Sequence, residues 1–181
     1  RHQPFACLRS GSAMTLQGLN TISPDDAYAL LEQSCGASQW VRAMVKGRPY
    51  KDLDALKQAA QTVWETMQRS DVLEAFDHHP RIGADIESLR KKFASTASLS
   101  ESEQASVADA GEETLLALRD GNQKYEARYG HIFIVCATGK TAEEMLALLQ
   151  ARMDNEPDEE LLIAAAEQAK ITQIRLENIQ L

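Results

Sequence analysis

The chain has 181 residues, 44% of them hydrophobic and 25% charged, which is typical of a soluble globular protein with room for one compact core. Its formal net charge of −8 argues against nucleic acid or an anionic membrane as a partner, because both favour a basic face. No apolar run approaches the roughly 20 residues that span a bilayer. Three widely spaced cysteines, Cys7, Cys35 and Cys136, form no CxxC pair, which favours free thiols in a reducing compartment.

The N-terminal residues differ in character from the rest of the chain. Residues 1–13 are irregular, and Gly11-Ser12-Ala13-Met14 resembles a cloning scar before a native start at Met14. We therefore interpret residues 1–13 as an expression-tag remnant and residues 14–181 as a single all-helical domain.

Helix signals cover most of the remaining chain. Ser23-Pro24-Asp25-Asp26 combines a cap, a proline at the first helical position and acidic residues in the first turn. Asp120-Gly121-Asn122 is expected to end a helix that Glu101 begins, with a further short helical segment after it. The pattern predicts an all-α fold of about eight helices. Helical segments are expected to begin near Pro24, Ser38, Asp52, Ser70, Asp85, Glu101, Gln123, Thr141 and Asp158, and those at Ser70 and Gln123 have only one or two turns.

One stretch, Ile132-Phe133-Ile134-Val135-Cys136-Ala137, does not fit this pattern. Its β-branched content favours a strand. The chain offers no second strand candidate to pair with it. We therefore predict a buried segment, extended or helical, inside an all-α protein.

The block Phe76-Asp77-His78-His79-Pro80-Arg81-Ile82-Gly83 lies between two predicted helices. Proline disfavours the α conformation in the residue before it, so His79 is expected where the preceding helix ends. Histidine is also the side chain best suited to proton transfer near neutral pH. A helix-end histidine that bonds the last carbonyls explains the position equally well. A metal site is disfavoured because no second His/Cys cluster exists.

Two further places carry competing interpretations. In Ser100-Glu101-Ser102-Glu103-Gln104, Ser100 and Glu103 have capping-box spacing, yet a carboxylate in that first turn could instead orient an imidazole. Arg175 interrupts an apolar series in the last helix. It fits an arginine at the edge of a buried face, or a fork that binds a carboxylate or amide.

Taken together, these blocks resemble one family, the 2-oxo-4-hydroxy-4-carboxy-5-ureidoimidazoline (OHCU) decarboxylases of urate catabolism. The resemblance runs from about Ile22 to the end of the chain. Its elements, in order, are His79-Pro80-Arg81-Ile82-Gly83, Ser100-x-x-Glu103-Gln104, Asn122-x-x-Tyr125-Glu126-x-Arg128-Tyr129-Gly130, Phe133-Ile134-Val135-Cys136-Ala137, Ala142-Glu143-Glu144-Met145-Leu146 and Ile171-x-x-x-Arg175-Leu176.

The resemblance implies an all-helical catalytic domain, a homodimer, and no cofactor or metal. It places the catalytic histidine at His79 and an active-site glutamate at Glu103. His131 departs from the family, which more often has an aromatic residue there, whereas His78 is expected to pack or face solvent. The substrate-binding positions that it implies are Pro80, Ser100, Gln104, Phe133, Ile134, Val135 and Arg175.

The activity implied is a carboxy-lyase reaction that converts OHCU to (S)-allantoin. Two alternatives remain: a hydrolase of a related cyclic ureide, in which His79 and Glu103 activate water, and a helical interaction domain without activity. The small-molecule substrate is the expected partner, with no nucleic acid and no membrane. The C-terminal Ile179-Gln180-Leu181 is not the Ser-Lys-Leu peroxisomal signal, so a bacterial cytoplasm is the expected location.

Overall fold

The computed structural model describes residues 16–80, 86–93 and 101–180, with backbone alone at 88, 92, 93, 101–110 and 180. This part of the chain forms α-helices and no strand, which confirms the predicted all-α class. Residues 1–13 lie outside the described residues, so their assignment as a tag remnant stays a prediction. The helices are α1 (Leu16–Thr21), α2 (Pro24–Glu32), α3 (Ser38–Lys46), α4 (Leu53–Glu65), α5 (Arg69–Asp77), α6 (Ile86–Phe93), α7 (Glu101–Tyr129), α8 (Ala142–Arg152) and α9 (Pro157–Glu177), followed by a 3₁₀ turn (Asn178–Gln180).

Polar side chains fix several of the predicted helix starts. The side chains of Ser23, Asp52 and Thr141 each accept a hydrogen bond from the amide three residues further on, at 3.1, 2.8 and 3.2 Å. Each bond satisfies one of the amide donors that a first helical turn leaves free. Helix α1 was not predicted from the sequence. No helix in the described part of the chain is long and apolar enough to cross a membrane.

The predicted break at Asp120-Gly121-Asn122 is wrong, because α7 runs without interruption through this point. A Cβ on Gly121 would lie 2.6 Å from Leu149 Cδ2, so this glycine lets α8 pack closely against α7. Asn122 turns its side-chain amide back to the Leu118 carbonyl at 2.8 Å, within the same helix. Tertiary packing therefore outweighs the low helix propensity of these residues.

The buried side chains form two hydrophobic clusters. The first, which we call the N-terminal cluster, joins α1–α5 to α9 and includes Trp40 and Phe76. The second, the α7–α8 cluster, contains Tyr125, Met145 and Leu149. The structure thus has two neighbouring cores rather than one.

The apolar stretch at residues 132–137 runs between these two clusters and is neither helix nor strand. Phe133 and Val135 belong to the α7–α8 cluster, whereas Ile134 belongs to the N-terminal cluster. The side chains therefore alternate between two cores, as they do along extended chain. Burial on both sides explains why the segment is apolar throughout, and the predicted buried segment is confirmed in its extended alternative.

Candidate active site

His79 stands immediately after α5. The helix ends at Asp77, and the amides of His78 and His79 close its last turn on the carbonyls of Ala75 and Phe76, at 3.3 and 3.1 Å. Pro80 then prevents the helix from continuing. The predicted helix end is confirmed. It lets the His79 side chain turn away from the axis of α5.

A cavity of about 260 Å³ opens beside this histidine. His79 and Pro80 line it, together with Ile171, Ile174 and Arg175 of α9. The non-helical segment at residues 132–138 supplies the rest. Because this segment is not in a helix, those of its amides and carbonyls that make no bond within the protein can serve a polar ligand.

The environment of His79 favours the neutral imidazole. The side chain is half-buried, and desolvation lowers its pKa below the ordinary value of 6.5. The Arg175 guanidinium, followed by the neighbouring His78, lowers the pKa of His79 further. A hydrogen bond between His79 Nε2 and Gln168 Oε1 opposes this effect without reversing it.

Arg175 lies in the last turn of α9, where the negative end of the helix dipole favours a cation. Its Nη1 donates to the Gln33 carbonyl at 3.3 Å, which steers the guanidinium towards the end of α2. The remaining guanidinium donors can serve a bidentate ligand such as a carboxylate or a ureide.

The buried side of α9 carries a polar stripe that was not predicted from the sequence. At four-residue spacing the buried side chains are Glu160, Ala164, Gln168, Thr172 and Leu176, three of them polar. The four-residue spacing is present in the sequence. It was not recognised because the apolar residues nearby suggested that a different face of α9 is buried. Polar side chains at this depth require hydrogen-bond partners, which makes the stripe a functional candidate.

Glu160, at the N-terminal end of this stripe, is fully buried and pairs with Arg152 of α8. Arg152 Nε donates to Glu160 Oε1 at 2.7 Å, and Asn155 Nδ2 donates to Glu160 Oε2 at 3.0 Å. Tyr125 also hydrogen-bonds this carboxylate through its hydroxyl. Burial, followed by the adjacent carboxylate, raises the pKa of Tyr125, so the phenol stays protonated and donates.

This ion pair is connected to the wall of the cavity. Arg152 Nη1 donates to the Ile134 carbonyl at 2.7 Å, and its guanidinium lies 4.5 Å from the centre of the Phe133 ring. Glu167 accepts from the Cys136 amide at 3.3 Å. The segment is therefore held at two points by charged side chains from α8 and α9.

Six of the residues predicted for the site line this one cavity: His79, Pro80, Phe133, Ile134, Val135 and Arg175. Ser100 lies outside the described residues, and so do the side chains of Glu103 and Gln104, although α7 begins at Glu101. Their predicted roles stay predictions.

The two other described histidines do not line the cavity. His78 is exposed, and its ring packs so closely on Gly36 that a Cβ there would lie 2.1 Å from its Cγ. His131 is buried, with its ring centre 5.1 Å from that of Phe76, and its Nδ1 lies 2.9 Å from the Ile132 carbonyl oxygen. No cluster of three His, Cys, Asp or Glu side chains that could hold a metal ion occurs in the described part of the chain.

Comparison with known proteins identifies the class to which this fold and cavity belong. A family model described as OHCU decarboxylase matches residues 20–177. The chain therefore belongs to the OHCU decarboxylase family, as its sequence blocks predicted.

Individual relatives agree with this assignment. The chain is 38% identical over 144 residues to the uric acid degradation bifunctional protein TTL of Arabidopsis thaliana, which covers 78% of this chain and 44% of that protein. It is 27% identical over 172 residues to the uric acid degradation bifunctional protein of Bacillus sp. (strain TB-90), covering 92% and 32%. The chain spans less than half the length of the curated relatives it matches.

A solved structure is similar over most of both chains. The crystal structure of OHCU decarboxylase in the presence of (S)-allantoin superposes with a TM-score of 0.65 and 34% sequence identity, covering 80% of this chain and 92% of that one. The helical architecture of this chain is thus the architecture of a solved member of the family.

Proposed function

We propose that this chain decarboxylates OHCU to (S)-allantoin, and that the cavity beside His79 is the active site. The observation that carries the proposal is the convergence of an imidazole, a guanidinium and a non-helical backbone segment on one small cavity. This set suits a compact, polar ureide with a carboxylate. Family membership and the similarity to an OHCU decarboxylase structure support the same reaction.

The substrate can act as its own electron sink. Its carboxylate and a hydroxyl share one ring carbon, and the neighbouring ring carbon forms a C=N bond. When the C–C bond to CO2 breaks, the electron pair forms a C=C bond between these ring carbons, and the ring nitrogen of the former C=N takes up a proton. The resulting enol loses its hydroxyl proton as the neighbouring carbon gains a proton on one face.

The protein then has to orient the substrate and move protons. His79 transfers a proton in the enol-to-carbonyl step, a role for which a neutral imidazole is suited. Arg175 and the backbone at residues 133–135, with Pro80, hold the polar edges of the substrate. We assign Glu103 to orienting His79 or binding the ureido arm, and Ser100 and Gln104 to substrate contacts.

The decisive experiment adds the protein to freshly hydrolysed 5-hydroxyisourate and follows optical activity together with CO2 release. Rapid appearance of one allantoin enantiomer with one CO2 per turnover is the expected result. Ring opening without CO2 release would indicate the ureide hydrolase instead. If neither reaction accelerates over the uncatalysed background, the chain is not this enzyme.

His79→Ala tests the role of the histidine, with His78→Ala as a matched control on the adjacent, exposed residue. Loss of a positioned acid–base group is expected to reduce kcat about 10²–10⁴-fold. The control is expected to retain activity of the wild-type order, because His78 does not line the cavity. Equal activity of the two folded variants would remove His79 from the mechanism. Circular dichroism checks that both variants keep their helices.

We also propose a homodimer in the cytoplasm. Support for the dimer comes from the family resemblance alone, and light scattering on the purified protein tests it, since a monomer mass would overturn it. Support for the location comes from Cys35 and Cys136, which are buried free thiols, as expected in a reducing compartment. Cell fractionation with an antibody to the chain tests that part.

A further inference from the structure

A chain of buried hydrogen bonds runs from the active-site histidine into the protein. Gln168, fully buried in α9, faces His79 Nε2 with its Oε1 atom. Its Nε2 donates to Thr172 Oγ1 at 3.0 Å, one turn further along the helix. The Thr172 hydroxyl in turn donates to the Ser34 carbonyl at 3.4 Å, at the end of α2.

The direction of this chain is set at its far end. A backbone carbonyl can only accept, so in this bond the Thr172 hydroxyl donates to Ser34. The Cys35 sulfur, which also hydrogen-bonds the Thr172 side chain, is a second acceptor at the same end of the chain. Thr172 Oγ1 then has lone pairs to offer Gln168, which must present its NH₂ group to the threonine. The carbonyl oxygen of Gln168 is consequently the atom that faces His79. The reverse direction would remove the donor from the Ser34 carbonyl and leave a buried acceptor without this partner, which is unfavourable.

An amide carbonyl oxygen can only accept a hydrogen bond, so the ring nitrogen of His79 that faces it must carry a proton. We propose that Gln168 is a positioning residue that holds His79 in the Nε2-protonated tautomer, so that Nδ1 is the nitrogen that exchanges protons with the substrate. Nδ1 has no hydrogen-bond partner within the described part of the chain. The proposal deepens the proposed function and rests on it for the catalytic role of Nδ1.

The charges around His79 support a neutral ring with this proton arrangement. Arg175 approaches from α9, and His78 lies beside it at the end of α5; both disfavour a second proton on the imidazole, as burial does. Gln168 and Thr172 carry no charge. The hydrogen-bond chain from Gln168 through Thr172 to Ser34, which we call the relay, therefore orients the ring without supplying a counter-ion. A carboxylate partner would instead stabilise the imidazolium. With Nε2 facing Gln168 and Nδ1 facing the substrate, the second of the two roles proposed for Glu103, binding the ureido arm, is the one that fits this arrangement.

The primary test is nitrogen NMR of the unmodified, ¹⁵N-labelled protein above neutral pH, with His79→Asn used only to assign the signals. We expect a pyrrole-type shift at His79 Nε2 and a pyridine-type shift at Nδ1. A pyridine-type shift at Nε2, or an equal mixture of the two tautomers, would overturn the proposal. This measurement needs no substrate, so it stands whether or not the chain proves to decarboxylate OHCU.

Substitutions in the relay give a second readout. Thr172→Val removes the hydroxyl at nearly constant shape and should allow both tautomers of His79, whereas Thr172→Ser should keep the wild-type spectrum. Gln173→Leu is the matched control, because Gln173 is a neighbouring glutamine of α9 that bonds the Lys57 carbonyl at 2.9 Å instead. A wild-type tautomer in Thr172→Val would show that Thr172 does not direct the relay.

Gln168→Glu separates positioning from simple packing. A carboxylate facing Nε2 should raise the pKa of His79, so the acid limb of activity, or the NMR titration of His79, should move up by about 1 pH unit or more. A merely structural role for Gln168 would lower stability and leave the titration of His79 in place. That second result would contradict the proposal.

Discussion

His79 and Arg175 reach the cavity from the ends of two different helices, α5 and α9. The end of α5 before Pro80 places the backbone of His79, and Gln168 of α9 faces its ring. The Gln33 carbonyl steers the guanidinium of Arg175. This arrangement leaves both polar ends open to a ligand.

The pKa of His79 predicts how activity depends on pH. Burial first, and then the Arg175 guanidinium and the neighbouring His78, lower this pKa from its ordinary value of 6.5. If neutral His79 is the active form, kcat/KM should stay level through neutral pH and fall only below that value. An acid limb of the kcat/KM profile centred above pH 6.5 would contradict a lowered pKa for His79. Substrate binding measured over the same range separates ionisation of His79 from loss of affinity.

The same shift has a consequence for folding. A histidine with a lowered pKa in the folded state binds its proton more readily when unfolded. The contribution of His79 to stability is therefore present above its unfolded pKa and is lost as the pH falls through its folded pKa. Urea unfolding of wild type and His79→Asn at several pH values measures the difference in their free energies of unfolding. That difference should shrink towards acid pH.

Arg175→Ala is expected to weaken substrate binding more than it slows turnover. Losing a charged hydrogen bond of about 1.5–3 kcal/mol corresponds to roughly a 10- to 150-fold rise in KM. Arg69→Ala is a suitable control, because the Arg69 side chain is 60% exposed and pairs with Asp158 at the surface. If steady-state kinetics show unchanged kcat and KM for Arg175→Ala, Arg175 does not bind the substrate and only packs at the edge of a buried face.

At the scale of single elements, α7 contains two glycines with opposite surroundings. A Cβ on Gly111 meets no atom within 4 Å, whereas one on Gly121 meets Leu149 at 2.6 Å. Gly111→Ala should therefore stabilise the protein by about 0.5–1 kcal/mol through helix propensity. Gly121→Ala should be destabilising, because overpacking typically costs about 1–3 kcal/mol.

Chemical unfolding of the two variants checks this contrast. They share one substitution and one helix, so the difference between them isolates the contact with α8. Equal stabilisation by both substitutions would show that Leu149 moves aside at no cost. In that case the closeness of α7 and α8 would not depend on Gly121.

The segment at residues 132–137 shows how an element without regular structure can be well defined. Its side chains alternate between two cores, and Arg152 and Glu167 bond its backbone. The sequence predicted its burial, since β-branched residues without a polar face have to be covered. Its partners are distant in sequence, so they could not be identified from the local pattern.

For the whole molecule, the buried pair of Arg152 and Glu160 joins α8 to α9 and lies next to the cavity wall. Glu160→Gln is expected to destabilise by about 3–5 kcal/mol, because it leaves a buried guanidinium without its counter-charge. It should also raise KM, since Arg152 holds the Ile134 carbonyl. Thermal unfolding and kinetics measure the two effects.

Glu177→Gln provides the control for that experiment. It removes one partner of the ion pair between Lys57 and Glu177, whose side chains are 29% and 48% exposed. Surface pairs contribute about 0–1 kcal/mol, so little change is expected in stability or in KM. A similar loss in both variants would show that burial of Arg152 and Glu160 is not the decisive factor.

The sequence by itself determined the helical class, most helix starts and the helix end before Pro80. These depend on local chemistry, such as caps, prolines and the spacing of apolar residues, which acts within a few residues of the chain. The family was indicated by the resemblance of several sequence blocks in their order along the chain. Only the tertiary structure decided that α7 continues through Gly121 and that Gln168 faces His79. It also placed Arg152 against the Ile134 carbonyl. Such contacts join residues that are far apart in sequence, and their energy arises only when two buried surfaces meet.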